Sequence, residues 1–308
     1  NPARQCVCYA HKAQLKILSW NVASLRSMMR RDGGAELSLL LQSEQPDITF
    51  LQEHKLQDIN VAELEPKVLQ IFNRACFGEH RAAWAVSTAR KGYSGVCAIF
   101  RDSAGGGVSK TTAGEIDQVD AAEGRSVRLD LECGLIVIGM YVPNSGQKLA
   151  RLDYRVNVWD MKLRSYLRDL DRKAGRRGGL VICGDFNVAH QDIDIWNPEA
   201  HQIKRQAGTT APERESFANL LKELDLVDAF RHGNPEAREV YTYWSSRARS
   251  RPVNKGLRLD YFLCSARLFN KESEAFVCGS KVLDTFGGSD HCPISCMLSM
   301  PSEARSKK

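Results

Sequence analysis

Several short apolar runs in this chain end on an acid or an amide, and that repeated ending constrains the fold more than any other feature. Ile17–Trp20 stops at Asn21, Thr49–Gln52 at Glu53, Gly139–Pro143 at Asn144, and Val181–Gly184 at Asp185 and Asn187. Apolar runs of this length, bounded by turn formers, predict buried strands. Residues 96–100, 126–131, 259–263 and 293–297 read the same way. Helical patterns fall between some of them: Ala35–Gln42, Leu152–Leu170 with Trp159, Leu163, Tyr166 and Leu170 in register, and Arg214–Leu224. The expected class is therefore α/β. An Asn or Asp after a strand usually caps a turn, so each ending alone says little. As a set, such side chains at strand ends can meet at one rim, where they suit a hard cation and a phosphate.

The 308 residues, 43% apolar and 26% charged, describe a folded chain near the upper size for one core. No linker or short repeat divides it. A single catalytic domain is expected over 15–300, with a loose arm over 1–14 and a basic tail over 301–308. The longest apolar run, Leu135–Val142, is far below the roughly 20 residues that cross a bilayer, so no membrane insertion is expected. The net charge of +6 favours an anionic partner. Arg247, Arg249, Arg251, Lys255 and Arg258 follow one another without an acid, which predicts a phosphate-tracking loop. Most of the ten cysteines sit in apolar strands, as Cys97, Cys183 and Cys264 do, and are expected as buried free thiols of a reducing compartment. Cys6-x-Cys8 and Cys292-x3-Cys296 lack the paired spacing of a structural zinc site.

Trp20-Asn21, Leu51-Gln52-Glu53, Gly184-Asp185-Phe186-Asn187, Arg258-Leu259-Asp260-Tyr261 and Gly287-Gly288-Ser289-Asp290-His291 resemble, in order and spacing, the signature of the endonuclease, exonuclease and phosphatase superfamily. Gly92-Tyr93-Ser94-Gly95-Val96, Tyr141-Val142-Pro143-Asn144, Asn187-Val188-Ala189-His190 and Thr242-Tyr243-Trp244 make the chain similar to exonuclease III-type apurinic/apyrimidinic (AP) endonucleases, in their eukaryotic-like branch. The resemblance covers about Leu15 to Leu298. It implies a four-layered α/β sandwich, with two facing, mostly antiparallel β-sheets flanked by helices. It also implies a DNA repair hydrolase of base excision repair, which cuts the phosphodiester 5′ to abasic sites and cleans 3′ ends as a phosphodiesterase or exonuclease. The alternatives are a catalytically weakened damage-binding protein, or another phosphodiesterase or phosphatase of the superfamily.

Carried over residue by residue, the resemblance implies Mg²⁺, with Mn²⁺ as the alternative, at Glu53, Asn21 and Asp290. Asp185 would position or deprotonate the attacking water, with Asn187 beside it; Asp260 would orient His291; Tyr141 and Asn144 would contact the scissile phosphate. Arg26, Lys55, Tyr93 and Arg151 would reach the DNA backbone, while Tyr243, Leu257 and Leu259 would line a pocket for the extruded baseless sugar. The implied partner is duplex DNA with abasic sites or blocked 3′ ends, bound by a monomer, in the nucleus or else the mitochondrion. Four positions depart from the family: Ala23 replaces an Asp or Asn near the metal, Gln147 and Arg247 replace an Arg and a Met that grip kinked DNA, and Leu257 replaces a pocket tryptophan. The last change is expected to leave more room.

Overall fold

The computed structural model describes residues 14–116 and 122–300. The expected tail, and all of the expected arm except Gln14, lie outside the described residues. One sheet holds β1 (Gln14–Asn21), β2 (Ile48–Gln52), β3 (Arg81–Ala85), β4 (Val96–Phe100), β11 (Phe276–Val282) and β12 (Ile294–Ser299), in the order β3-β4-β2-β1-β12-β11. The other holds β5 (Val108–Ala113), β6 (Ser126–Leu131), β7 (Leu135–Tyr141), β8 (Gly179–Asp185), β9 (Leu226–Asp228) and β10 (Asp260–Ser265), in the order β5-β6-β7-β8-β10-β9. Written this way the two sheets share one pattern: the central pair is parallel and every other neighbouring pair is antiparallel. Parallel neighbours need a crossover. Helices α1 (Leu25–Asp32) and α2 (Ala35–Glu44) supply it between β1 and β2; a π-helical segment, Tyr154–Trp159, running into α4 (Asp160–Ala174) supplies it between β7 and β8.

Strand alternation explains the layers. Leu15, Ile17, Ile48, Phe50, Val181, Cys183, Phe262 and Cys264 point between the sheets, into the central core. Their neighbours Leu18, Trp20 and Leu51 pack outward on α1, α2 and α3 (Asp58–Ala75). Leu180, Ile182, Tyr261 and Leu263 pack on α4 and on α5 (Ala211–Glu223). With both faces buried, the strands read as continuous apolar runs rather than alternating ones. The sheets approach closely where β7 has Gly139, since a Cβ there would stand 2.0 Å from the Phe50 ring on β2.

The four-layered sandwich with mostly antiparallel sheets is as expected, and all eight anticipated strands form. The Arg214–Leu224 pattern becomes α5, Ala35–Gln42 becomes α2, and Leu152–Leu170 becomes the π segment plus α4. The apolar patterns missed β3, β5, β9, β11, α1, α3 and the short α6 (Ala229–Gly233). Cys76, Cys97, Cys133, Cys183, Cys264, Cys278, Cys292 and Cys296 are free thiols, and all but Cys133 and Cys278 are buried; Cys6 and Cys8 lie outside the described residues.

Candidate active site

Both central parallel pairs run the same way, so their carboxyl ends meet at one rim. Asn21 closes β1, Glu53 follows β2, Tyr141 closes β7 and Asp185 closes β8. The antiparallel neighbours start there instead, which brings Asp260 opposite Asp185 in the β10–β8 register and His291 just ahead of β12. Asn21 Nδ2 bridges the two sheets, donating to Glu53 Oε1 at 3.0 Å and to Asp185 Oδ2 at 2.9 Å.

Asp185 is buried and tightly held. The Asn187 backbone N–H donates to its Oδ1 at 2.8 Å and Asn187 Nδ2 to its Oδ2 at 3.3 Å. Asn187 Oδ1 in turn accepts from Asn144 Nδ2 at 2.8 Å. On the far side, His291 Nε2 lies 3.7 Å from Asp185 Oδ2, while its Nδ1 lies 2.7 Å from Asp260 Oδ2. Thr242 Oγ1 fixes the start of β10 by accepting from the Leu259 and Asp260 N–H groups. Burial pushes the Asp185 carboxyl up to about 7, against the pull of His291. Burial alone would lower His291, but the Asp260 and Asp185 carboxylates outweigh it and hold the imidazole protonated up to about 10.

Glu53 lies across the rim with φ of 52°, and Ala23 and Asn187 share the left-handed region at 56° and 50°. Asn adopts it readily; Glu and Ala adopt it at a cost of order 1 kcal/mol. The Glu53 loop is pinned by the His54 and Lys55 N–H groups, which donate to the Gly95 and Ser94 carbonyls. His54 is no part of the chemistry: its Nδ1 accepts from the Leu56 N–H, and burial lowers it to about 4, so it is neutral. Burial would raise Glu53, but the Lys55 ammonium 2.8 Å from Oε2 more than offsets this and the carboxyl sits below its usual range.

Asp185, Asp260 and His291 each offer a ligand atom within 4.8 Å of the others, a group that could hold a metal ion. The pairing of Asp260 with His291 Nδ1 speaks for an acid-oriented imidazole there. Glu53 is the better candidate for a cation, because its carboxyl is held ionised and the Lys55 ammonium, 2.8 Å from Oε2, occupies a place that a metal ion could take instead. The Asn21 amide group donates to both acids and so aligns them, and its Oδ1 accepts from the Ala23 N–H at 3.0 Å. Asp290 is half-buried next to His291, with Oδ1 3.4 Å from the Ser289 hydroxyl.

The DNA-facing expectations divide. Tyr93 and Arg151 are joined, Arg151 Nη1 donating to the Tyr93 hydroxyl at 2.8 Å. Arg26 is half-buried on the first turn of α1, and Arg247 is exposed. Lys55 is engaged by Glu53. Tyr243 stacks near His291, with ring centroids 4.9 Å apart, and packs with Leu257 and Leu259. The basic loop needs correction. Arg258 is buried on Asp194 and Asp228, Arg251 donates to the Asp284, Phe286 and Ser289 carbonyls, and Lys255 sits 4.9 Å over the Trp196 ring. Only Arg247 and Arg249 of the five stay exposed without such partners.

Two buried arginines escaped the sequence reading. Arg155, on the π-helical segment, donates to the Pro143 and Phe186 carbonyls at 3.1 and 3.0 Å and so clamps the two loops that carry Asn144 and Asp185. Arg125 donates to the Tyr141 carbonyl and lies 4.8 Å over the Tyr141 ring. Each also pairs with a nearby carboxylate, Arg155 with Asp160 and Arg125 with Glu123, but the carbonyls and the ring they hold at the site are distant in sequence.

Two facing sheets with an acid, amide and histidine rim define a phosphoester-hydrolase type of site. The chain belongs to the endonuclease/exonuclease/phosphatase family, whose pattern it matches over residues 18–291. It is 35% identical to an exodeoxyribonuclease of Bacillus subtilis over 93% of this chain and 100% of that protein. It is 36% identical to the DNA repair nuclease APEX1 of Danio rerio, over 94% and 83%. The crystal structure of an AP endonuclease from Leishmania major superposes with a TM-score of 0.81 at 31% identity, covering 94% of this chain and 88% of that one.

Proposed function

We propose that this chain hydrolyses the phosphodiester 5′ to abasic sites in duplex DNA, leaving a 3′-hydroxyl and a 5′-deoxyribose phosphate, and also removes blocking groups from 3′ ends. The reading is carried by one observation: a buried carboxylate whose proton affinity is raised to about 7, Asp185, faces a protonated imidazole 3.7 Å away that is locked by Asp260. Asp185 accepts a proton from water as the water oxygen attacks phosphorus, and a base poised near neutrality suits that step. Asn187 keeps its carboxylate aimed. His291 donates toward a non-bridging phosphate oxygen as charge builds there, and the Tyr141 hydroxyl and Asn144 amide add neutral donors. Burial, then the Glu53 charge, holds the Tyr141 hydroxyl well above its ordinary range, so it stays a donor. Glu53 and Asp290 would hold Mg²⁺, which when bound supplies a Lewis acid for the phosphoryl oxygens.

The test is a fluorescent duplex with one tetrahydrofuran site, incubated with protein in Mg²⁺ and in EDTA. Incision at the 5′ side in Mg²⁺ alone is expected. A duplex bound but left whole in Mg²⁺ would refute the enzyme and favour a damage-binding protein.

A further inference from the structure

Leu257 was expected to leave space in the pocket wall, and Trp196 packs against the same apolar cluster as Leu257. Leu257 is only 6% exposed. It pairs with Ile195 in an isolated antiparallel bridge, and the next residue, Trp196, donates its N–H to the Gly256 carbonyl at 3.2 Å. The indole then packs on two sides, against the cluster of Leu257 and Leu259 and against that of Tyr241 and Trp244. Gly256 itself packs closely on Tyr241 and Trp244, since a Cβ there would stand 2.6 Å from Tyr241 Cβ. Leu257 is also bridged to Tyr243, whose ring contacts His291, so one layer of packing separates Trp196 from the catalytic imidazole.

We propose that Trp196 shares one volume with Leu257 and thereby sets the width of the pocket wall, making it a specificity-determining residue for baseless sugar over intact nucleotide. The inference rests on the nuclease reading above. With the indole in place the leucine is pressed inward and the pocket stays narrow. Without it the leucine can swing back and admit a 3′-terminal nucleotide. Lys255, with its ammonium over the same ring, ties this wall to the basic loop.

The test is a cycle of Trp196→Ala, Leu257→Trp and the double variant, read by Tm and by the ratio of 3′-terminal nucleotide removal to tetrahydrofuran incision. Trp196→Ala should raise that ratio about tenfold, the scale on which apolar pockets discriminate. Leu257→Trp alone overpacks the wall and should lower Tm by about 3 °C or more. The double variant should regain most of that loss and bring the ratio back toward wild type. Tm losses that simply add, or an equal fall of both activities in Trp196→Ala, would overturn the proposal. Were the wild-type protein to show neither activity, the nuclease reading would fail and the pocket assignment with it, while the Tm cycle would still report whether the two side chains share a volume.

Discussion

Asp260→Asn keeps the shape of the site and removes the charge that holds His291 protonated. The imidazole is raised from 6.5 to about 10, and at 1.36 kcal/mol per unit that preference is worth about 5 kcal/mol. Asp260, at 2.7 Å, carries the larger share and Asp185, at 3.7 Å, the smaller. Once Asp260 is neutral, burial opposes Asp185 alone and the imidazole is largely uncharged at pH 8. A neutral ring offers the phosphate much less, and kcat/KM should fall by about 10²- to 10⁴-fold. The wild-type pH–rate profile should rise through about 7 as Asp185 ionises and decline near 10 as His291 loses its proton; the variant's alkaline limb should move down by several units. Stability follows the same sign. A histidine raised on folding contributes fully below its unfolded value of about 6.5 and loses that contribution as pH rises through about 10, so the variant should show a flatter Tm over that window. Incision of the tetrahydrofuran duplex between pH 6 and 10.5, with histidine proton NMR, measures both. An alkaline limb that stays near 10, or activity within tenfold of wild type at pH 8, refutes the role of the pair.

Asp185→Asn should cost about 10²-fold or more in single-turnover incision while duplex affinity is retained; near-normal turnover would remove Asp185 from the chemistry. Ala23→Asp places a carboxylate at the rim in a backbone conformation that Asp tolerates better than Ala, so half-maximal activity should need less Mg²⁺ with no loss of Tm. An unchanged Mg²⁺ requirement would show that the position does not reach the cation. Arg247→Ala with Arg249→Ala should flatten the salt dependence of duplex binding by about 0.9 in log–log slope for each phosphate no longer neutralised, and an unchanged slope would return both residues to plain solvation. Arg155→Met leaves the Pro143 and Phe186 carbonyls without their donor and should lower Tm and incision together; a loss of incision at wild-type Tm would contradict the clamp.

The pattern of what could be read from the sequence has a physical cause. The eight expected strands are the eight interior ones, each with two neighbours and most side chains buried. The four missed strands are the edges of the two sheets. Val108–Ala113 is mostly exposed, with only Val108 and Thr112 half-buried, and Phe276–Val282 is nowhere fully buried, so neither gives a continuous apolar run. Helix α3 hid for a different reason. Its buried Leu64, Val68, Phe72 and Ala75 are well spaced, but Pro66 interrupts the pattern on the exposed side. At the site, strand-end acids and amides were legible because β-structure delivers them in order. Buried arginines were not, since in sequence Arg125, Arg155 and Arg258 look like surface charge. Only the fold reveals that their partners are carbonyls, rings and carboxylates inside it.

The placement of β12 beside β1 has a consequence for the timing of synthesis. Trp20 Nε1 donates to the His291 carbonyl, and Ser289 Oγ to the Asn21 carbonyl, across separations of 271 and 268 residues. A chain emerging amino end first can assemble the whole β5-to-β10 sheet, with Asp185 and Asp260 in place, while β1 still lacks one neighbour. The imidazole arrives with the last strand, and long-range pairing of this kind is intrinsically slow to form. A nascent or truncated chain of this protein is thus without its histidine until the final strand has been made and seated, and cutting power is the last property the molecule acquires.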